Sequence, residues 1–351
     1  MKFGIFYQLP CADWQSPPQR YQDTLAQIQL GDELGFDNAW LAELHFNSRF
    51  SITPSPLILG AAAAERTRRI RLGVAVNLLP LHNPIRMAED ISTLDLLSNG
   101  RVEFGIGRGA IPIHFQGYNV PLQENRERFL ESLEFIVKAW THEEFSFEGK
   151  YYSAKDLRLV PKPLQKPHPP IHIASNSSDT FELVGKLGYS MFATPVIVPI
   201  PMLREGVGVY RKTLAAGGHT FNGEELSLAV PVYVSRDSSD ARAAPKSSVM
   251  NYISTIATNL GTPEAQRAAA ANNPRRLETQ ERFRRMTYDD WCAEVAIYGD
   301  PAQCVEKIQA LQQEFQPGEL ICWFETGGLT DHSRVMDSMR LFAKEVMPHF
   351  R

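Results

Sequence analysis

The chain has 351 residues, 43% of them hydrophobic and 22% charged, with a formal net charge of −4. That balance is ordinary for a globular protein and gives no electrostatic case for nucleic acid or a membrane surface as partner. No apolar run reaches the roughly 20 residues that would span a bilayer.

The first predicted strand is Phe3-Gly4-Ile5-Phe6-Tyr7. No basic segment leads into a long apolar stretch, so no secretion signal is expected. Pro17 and Pro18 open a helix with Leu25 and Ile28 on one face, and Gly35 stops it. A second strand, 38–42, precedes a helix over 57–64. A third strand covers 70–78. Asn83 and Pro84 then supply a cap and a first helical residue, and Asn99-Gly100 closes that helix. Strand four is 101–106, and the next helix carries Phe129, Leu133 and Ile136 on one stripe. Residues 145–152 have hairpin character, with Glu148-Gly149 as the turn, and prolines 161–170 make a rigid connection.

Strands five to seven follow at 171–175, 191–196 and 226–234, with helices at 180–187 and 202–215. A helix-rich charged insertion occupies about 238–297 and includes Arg275, Arg276, Arg282, Arg284 and Arg285. Asp300-Pro301 opens another helix, strand eight is 320–324, and a last helix carries Val335, Met339 and Phe342. Eight strand-plus-helix units imply a parallel sheet closed into a (β/α)8 barrel, as one domain over 1–351. The insertion sits where a lid over an active site belongs. Cys11, Cys292, Cys304 and Cys322 are scattered without a C-x-x-C pair, and read as free thiols of a cytoplasmic chain.

Barrel chemistry is expected where strands end. Glu43 and His45 follow strand two, Asn77 and His82 strand three, and Gly105-Ile106-Gly107-Arg108-Gly109 and then His114 strand four. The glycine run lets backbone approach a phosphorylated or flat ligand, with Arg108 as a planar fork; alternatively it is a tight turn with a solvated arginine. It is not the dinucleotide fingerprint, because the third glycine is missing. Ser175-Asn176-Ser177-Ser178-Asp179-Thr180 reads either as an anion site at a helix start, supported by Arg126 and Arg128, or as a plain cap. His45 reads as an acid or base, or as a buried imidazole satisfied by Glu43. His172 lies within a strand and reads as structural. Metal-ligand spacings such as H-x-H or H-E-x-x-H do not occur, so no metal is expected.

Taken in order, Met1 to Phe6, Gly35-Phe36-Asp37, Ala42 to Phe46, Leu79 to Arg86, Gly100 to Gly109, Arg126 to Phe129, Ser175 to Thr180 and Phe324-Glu325 resemble the bacterial luciferase-like flavin monooxygenases along nearly the whole chain. The resemblance implies a usually dimeric barrel that binds reduced FMN, supplied by a separate NAD(P)H:flavin reductase. It implies phosphate contacts from Arg108, Arg128, Asn176, Ser177, Ser178 and Thr180. It places the flavin ring over Ala75, Val76 and Asn77, beside Gly107, with a non-proline cis peptide at Ala75-Val76. Catalysis would draw on Glu43, His45 and His114. The implied reaction oxygenates a small organic substrate with O2 through a C4a-(hydro)peroxyflavin. The alternatives are an FMN- or deazaflavin-dependent hydride-transfer enzyme, separable by its indifference to O2, and a non-catalytic flavin-binding protein. Two positions depart from the luciferases. Leu44 replaces the first of two adjacent histidines, so light emission is not expected, and Gly107 replaces a cysteine.

Overall fold

A computed structural model describes residues 1–219, 223–259 and 275–351. The strands, in chain order, are β1 (Lys2–Tyr7), β2 (Asn38–Leu41), β3 (Arg71–Val74), β4 (Asn77–Leu78), β5 (Val102–Gly107), β6 (Phe145–Glu148), β7 (Ser153–Leu157), β8 (Ile171–Ala174), β9 (Ser190–Ala193), β10 (Leu226–Val234), β11 (Ile297–Gly299) and β12 (Glu319–Trp323). The parallel ladder runs β1, β2, β3, β5, β8, β9, β10, β12 and back to β1. It is the closed (β/α)8 barrel that the alternation of segments implies. The third strand, expected as one piece, is interrupted. Residues 75 and 76 leave the ladder between β3 and β4, and the peptide joining them is cis, as the resemblance implies.

Helices α1 (Pro17–Leu34), α2 (Pro56–Arg66), α3 (Pro84–Leu97), α4 (Pro112–Gly117), α5 (Asn125–Thr141), α6 (Ser178–Leu187) and α7 (Ile200–Ala216) follow the first strands. The local signals act as read. Gly35 ends α1 at φ 86°, and Asn83 caps α3 by accepting from the Ile85 N–H at 3.0 Å. The hairpin is longer than expected, spanning β6 and β7, with its reversal after Glu148. All four cysteines are buried and free.

The barrel interior is layered. Its floor is Trp40, with no exposed surface, beside Phe192 and His172. The indole fits because Gly73 and Gly4 face it; a Cβ on Gly73 would sit 2.2 Å from the ring. Glu319 accepts hydrogen bonds there from Trp40 Nε1 (2.9 Å), Asn38 Nδ2 (2.7 Å) and Ser227 Oγ (2.7 Å). Three donors offset part of the cost of a buried carboxyl, and burial still pushes its pKa up. His172, expected to be structural, hydrogen-bonds to Glu103 at 2.8 Å in the same floor. Above it, Ala42, Ala75, Ala174 and Ala229 replace the large residues of a filled barrel, and the upper interior stays open.

The insertion forms α8 (Ser238–Ala243), α9 (Lys246–Asn259), a helix Arg275–Arg285 and a helix Tyr288–Glu294, before β11. Residues 260–274 of it lie outside the described residues. Its apolar faces, including Val249, Tyr252, Phe283 and Trp291, form a second core against Val196 and Trp323 at the barrel rim.

Candidate functional site

A cavity of about 300 Å³ opens at the carboxyl ends of the strands. The alanines and the cis peptide make its floor, and Phe6, Leu44, Phe192, Val196 and Ile321 its apolar walls. Tyr252 of α9 and Trp323 of β12 close one side, ring centroids 4.8 Å apart in edge contact. The insertion is fastened over this side. Ser248 Oγ donates to Thr326 O (2.6 Å), Asn251 Nδ2 to Gly327 O (3.0 Å), and Arg282 to Val196 O (3.0 Å).

Glu43 borders the cavity and is the hub of a buried network. Its Oε1 accepts from His45 Nε2 (3.0 Å) and His82 Nε2 (2.7 Å), and its Oε2 from the Leu78 N–H (2.8 Å). Burial favours the neutral acid, but the hydrogen bonds from His45 and His82, the His82 charge and the Leu78 N–H outweigh it and hold Glu43 at about 2. The carboxylate accepts only, so both Nε2 atoms carry hydrogen. His45 Nδ1 lies 3.3 Å from the Tyr118 hydroxyl. His114 Nε2 accepts from the His45 backbone N–H at 3.3 Å, and burial, with the charge of His45, lowers it to about 4. At neutral pH His114 is therefore an uncharged acceptor.

The structure thus brings Glu43, His45 and His114 together. It sets the two imidazoles behind Glu43, while Leu44 takes the place on the cavity wall. His82, one of the strand-end candidates, and Tyr118, which the sequence reading does not name, complete this network. Glu43 and His82 both follow barrel strands, β2 and β4, and that shared end of the barrel is the signal that joins them.

The other cluster lies at the start of α6. The N-cap is Ser177, ahead of the Ser178 or Asp179 expected for a plain cap, and it forms a capping box with Thr180. Arg126 Nη1 and Arg108 Nη1 both point at Asp179 Oδ2, at 2.9 and 3.5 Å. Two guanidinium groups and a helix N-terminus against one carboxylate leave an excess of positive potential, a donor set that suits a phosphate monoester. Asn176 is exposed and borders the cavity, which links the two clusters; the Ser178 side chain lies outside the described residues. Arg128 is turned elsewhere. It pairs with Glu124 at 2.8 Å and its guanidinium stacks 4.3 Å from the Tyr151 ring centroid. Across β4 and β5, Asn77 pairs with Ile106 and Gly107 with Leu78, and a Cβ on Gly107 would lie 2.4 Å from Val76 Cγ2. Arginine-rich anion site, alanine floor and apolar walls together fit a phosphorylated flavin.

The sequence model of the luciferase-like monooxygenase family matches residues 1–315. The chain is 24% identical over 362 residues to the oxygenase component of the flavin-dependent trigonelline monooxygenase of Acinetobacter baylyi, covering 100% of this chain and 96% of that one. A monooxygenase of Streptomyces bottropensis superposes with a TM-score of 0.82 at 25% identity, with 100% of each chain covered. The oxygenating constituent of 3,6-diketocamphane monooxygenase of Pseudomonas putida, a type II Baeyer–Villiger enzyme solved with FMN, gives a TM-score of 0.82 at 22% identity, covering 99% of this chain and 98% of that one. The chain belongs to the luciferase-like monooxygenase family and is an oxidoreductase of that kind.

Proposed function

We propose that the chain is the oxygenase component of a two-component system. It takes reduced FMN from a separate NAD(P)H:flavin reductase and uses O2 to oxygenate a small organic molecule, without emitting light. The observation that carries this reading is the apolar cavity set beside the Arg108–Arg126 cluster at one helix N-terminus. The oxygenase component and the FMN complex among its relatives support it.

When bound, the flavin supplies the reducing electrons and the carbon at which oxygen is activated. The residues of the chain do the rest. Arg108 and Arg126, with the α6 N–H groups, Ser177, Ser178, Thr180 and Asn176, hold the phosphate. Arg126 takes the part first given to Arg128, which instead braces the rim through Glu124 and Tyr151. Ala75, Val76, Asn77 and Gly107 support the ring. Glu43 holds or moves a proton at its Oε1, with His45 and His82 as the donors in reach. His114, uncharged, fixes the His45 backbone and so acts as a positioning residue. The 238–297 insertion serves as the lid that keeps water out. The family likeness carries one barrel unit over 1–351, a homodimer and a cytoplasmic setting into this reading.

The test is titration with FMN, reduced FMN and reduced deazaflavin, followed by rapid mixing of each reduced complex with oxygen. A slowly decaying absorbance transient with reduced FMN supports the reading. Turnover without O2 supports hydride transfer instead, and failure to bind any flavin removes the central claim.

A further inference from the structure

Tyr252 of α9 borders the cavity and is only 6% exposed. Four aromatic rings enclose its own, with centroids at 4.8 Å (Trp323), 5.7 Å (Trp291), 6.2 Å (Phe50) and 6.5 Å (Phe283). Among the described residues its hydroxyl has no hydrogen-bond partner. The hydroxyls of Tyr7, Thr53 and Ser175 are sealed from any accessible surface, but that of Tyr252 is not. An unpaired hydroxyl in an apolar wall is kept where something else pairs with it.

The other hydroxyl on the wall is engaged. Thr194 Oγ1 donates to Ala229 O at 2.7 Å and accepts from the Val196 N–H at 3.2 Å. Both Glu43 oxygens accept from protein donors, and the Gln8 side-chain oxygen is sealed within the wall. Asn176 has a free amide, but it is exposed and stands next to Ser177 at the phosphate cluster. Among the described residues, no lysine, arginine or histidine lines the cavity. An anionic guest would lose its hydration with no cation to meet it, and would face the Glu43 carboxylate. A cationic guest would find that carboxylate held by two imidazoles and a backbone N–H. Burial pushes the Tyr252 pKa up, so the group stays a neutral phenol. A phenol donates better than it accepts, because its ring draws on the oxygen lone pair.

We propose that Tyr252 is a specificity-determining residue, whose hydroxyl donates to an acceptor oxygen on an uncharged, otherwise apolar substrate held in the cavity. The proposal rests on reading the cavity as the substrate site of a flavin enzyme, and adds the polar group that the site reads. Ser248 and Asn251 of the same helix fasten α9 to Thr326 and Gly327, so this donor is supplied by the insertion and not by a barrel strand. Tyr252 acts by binding and takes no part in the chemistry.

The test is calorimetric titration of the FMN-loaded full chain with three probes of similar shape: 1-indanone, indane and indane-2-carboxylate. The ketone offers an acceptor oxygen and no donor, the hydrocarbon offers neither, and the carboxylate adds a charge. The quantity read is the dissociation constant of indane divided by that of 1-indanone, in which the shared apolar contacts cancel. This ratio should fall about fivefold or more in Tyr252→Phe, as loss of one neutral hydrogen bond does, while indane binds as well or better. Indane-2-carboxylate should bind the unaltered chain about tenfold or more weakly than 1-indanone. Tyr252→Phe keeps the ring and removes a hydroxyl that no protein group uses, so its melting temperature should match that of the unaltered chain. An unchanged ratio, a clear drop in melting temperature, carboxylate binding as strong as that of 1-indanone, or no binding of any probe would each overturn the proposal. FMN binding is read separately from flavin fluorescence. Its failure counts against the flavin reading, and the ratio measured on the flavin-free chain then still decides whether Tyr252 reads an acceptor oxygen.

Discussion

His82 Nε2 lies 2.7 Å from Glu43 Oε1, the oxygen that also accepts from His45 Nε2 at 3.0 Å. One buried carboxylate thus holds two imidazoles, and only His82 keeps substantial contact with solvent, at 29% side-chain exposure. Burial disfavours the His82 imidazolium, but the hydrogen bond and charge of Glu43 prevail and raise its pKa. A raised histidine contributes stability that is full below the unfolded pKa of about 6.5 and is lost as pH rises through the folded value. His82→Gln is therefore expected to cost about 1–3 kcal/mol at pH 6 and distinctly less at pH 9. Urea unfolding at the two pH values measures it, and a pH-independent difference would contradict the ion-pair account. Glu43 works the opposite way. Its stabilisation is present above the ordinary carboxyl range and fades as pH falls toward about 2.

Asp179 competes with any phosphate for Arg108 and Arg126. Asp179→Asn should tighten FMN binding several-fold, whereas Arg108→Gln or Arg126→Gln should each weaken it about tenfold, as loss of a charge-assisted hydrogen bond does. Arg128→Gln should change it little. Flavin fluorescence quenching at low and high salt reads all four, and an Arg128→Gln effect equal to that of Arg126→Gln would return the phosphate role to Arg128.

Gly107 is required by space. A Cβ there meets Val76 Cγ2 at 2.4 Å, and valine has few rotamers with which to give way. Gly107→Ala should cost about 1–3 kcal/mol as overpacking and lower FMN affinity with it. Gly208, inside α7 with nothing within 4 Å of its added Cβ, supplies the contrast. Gly208→Ala should gain about 0.5–1 kcal/mol from helix propensity alone. Thermal melting of the two variants separates crowding from backbone entropy.

The barrel was legible because its information is local. Alternation of strand and helix, Pro17, Asn83, Gly35 and Gly100 set each element within a few residues, and long apolar runs marked strands buried on both faces. The break at residues 75–76 was not legible from periodicity, since Leu72 to Val76 is one run without a polar residue; only the resemblance pointed to it. The site was legible as a set of strand ends but not as contacts. Nothing in sequence separation says that Arg126 turns toward Asp179 while Arg128, two residues on, turns to Glu124. Gln8, which borders the cavity, was missed although a signal existed. Gly4, Phe6 and Gln8 share one face by the period of two, so the residue after the first strand had to point the same way as Phe6.

Arg20 and Glu325 form an ion pair of 2.6 Å in which each side chain is 7% exposed. Arg20 also donates from Nε to Pro10 O at 3.1 Å, so one guanidinium ties α1 to the loops after β1 and β12, two of the strand ends that frame the cavity. Burial raises the Glu325 pKa, and Arg20 opposes that. Two desolvated charges in such a place cost roughly what their attraction returns, but one charge left alone costs far more. Arg20→Met should therefore destabilise the chain by about 3–5 kcal/mol, and Glu325→Leu by a similar amount. The double variant Arg20→Met/Glu325→Leu should recover a large part of the loss, because neither charge is then stranded. Denaturant unfolding of the four proteins gives the coupling energy. Strict additivity would mean that the two side chains act independently, and that strand ends eight and one are held together by packing instead.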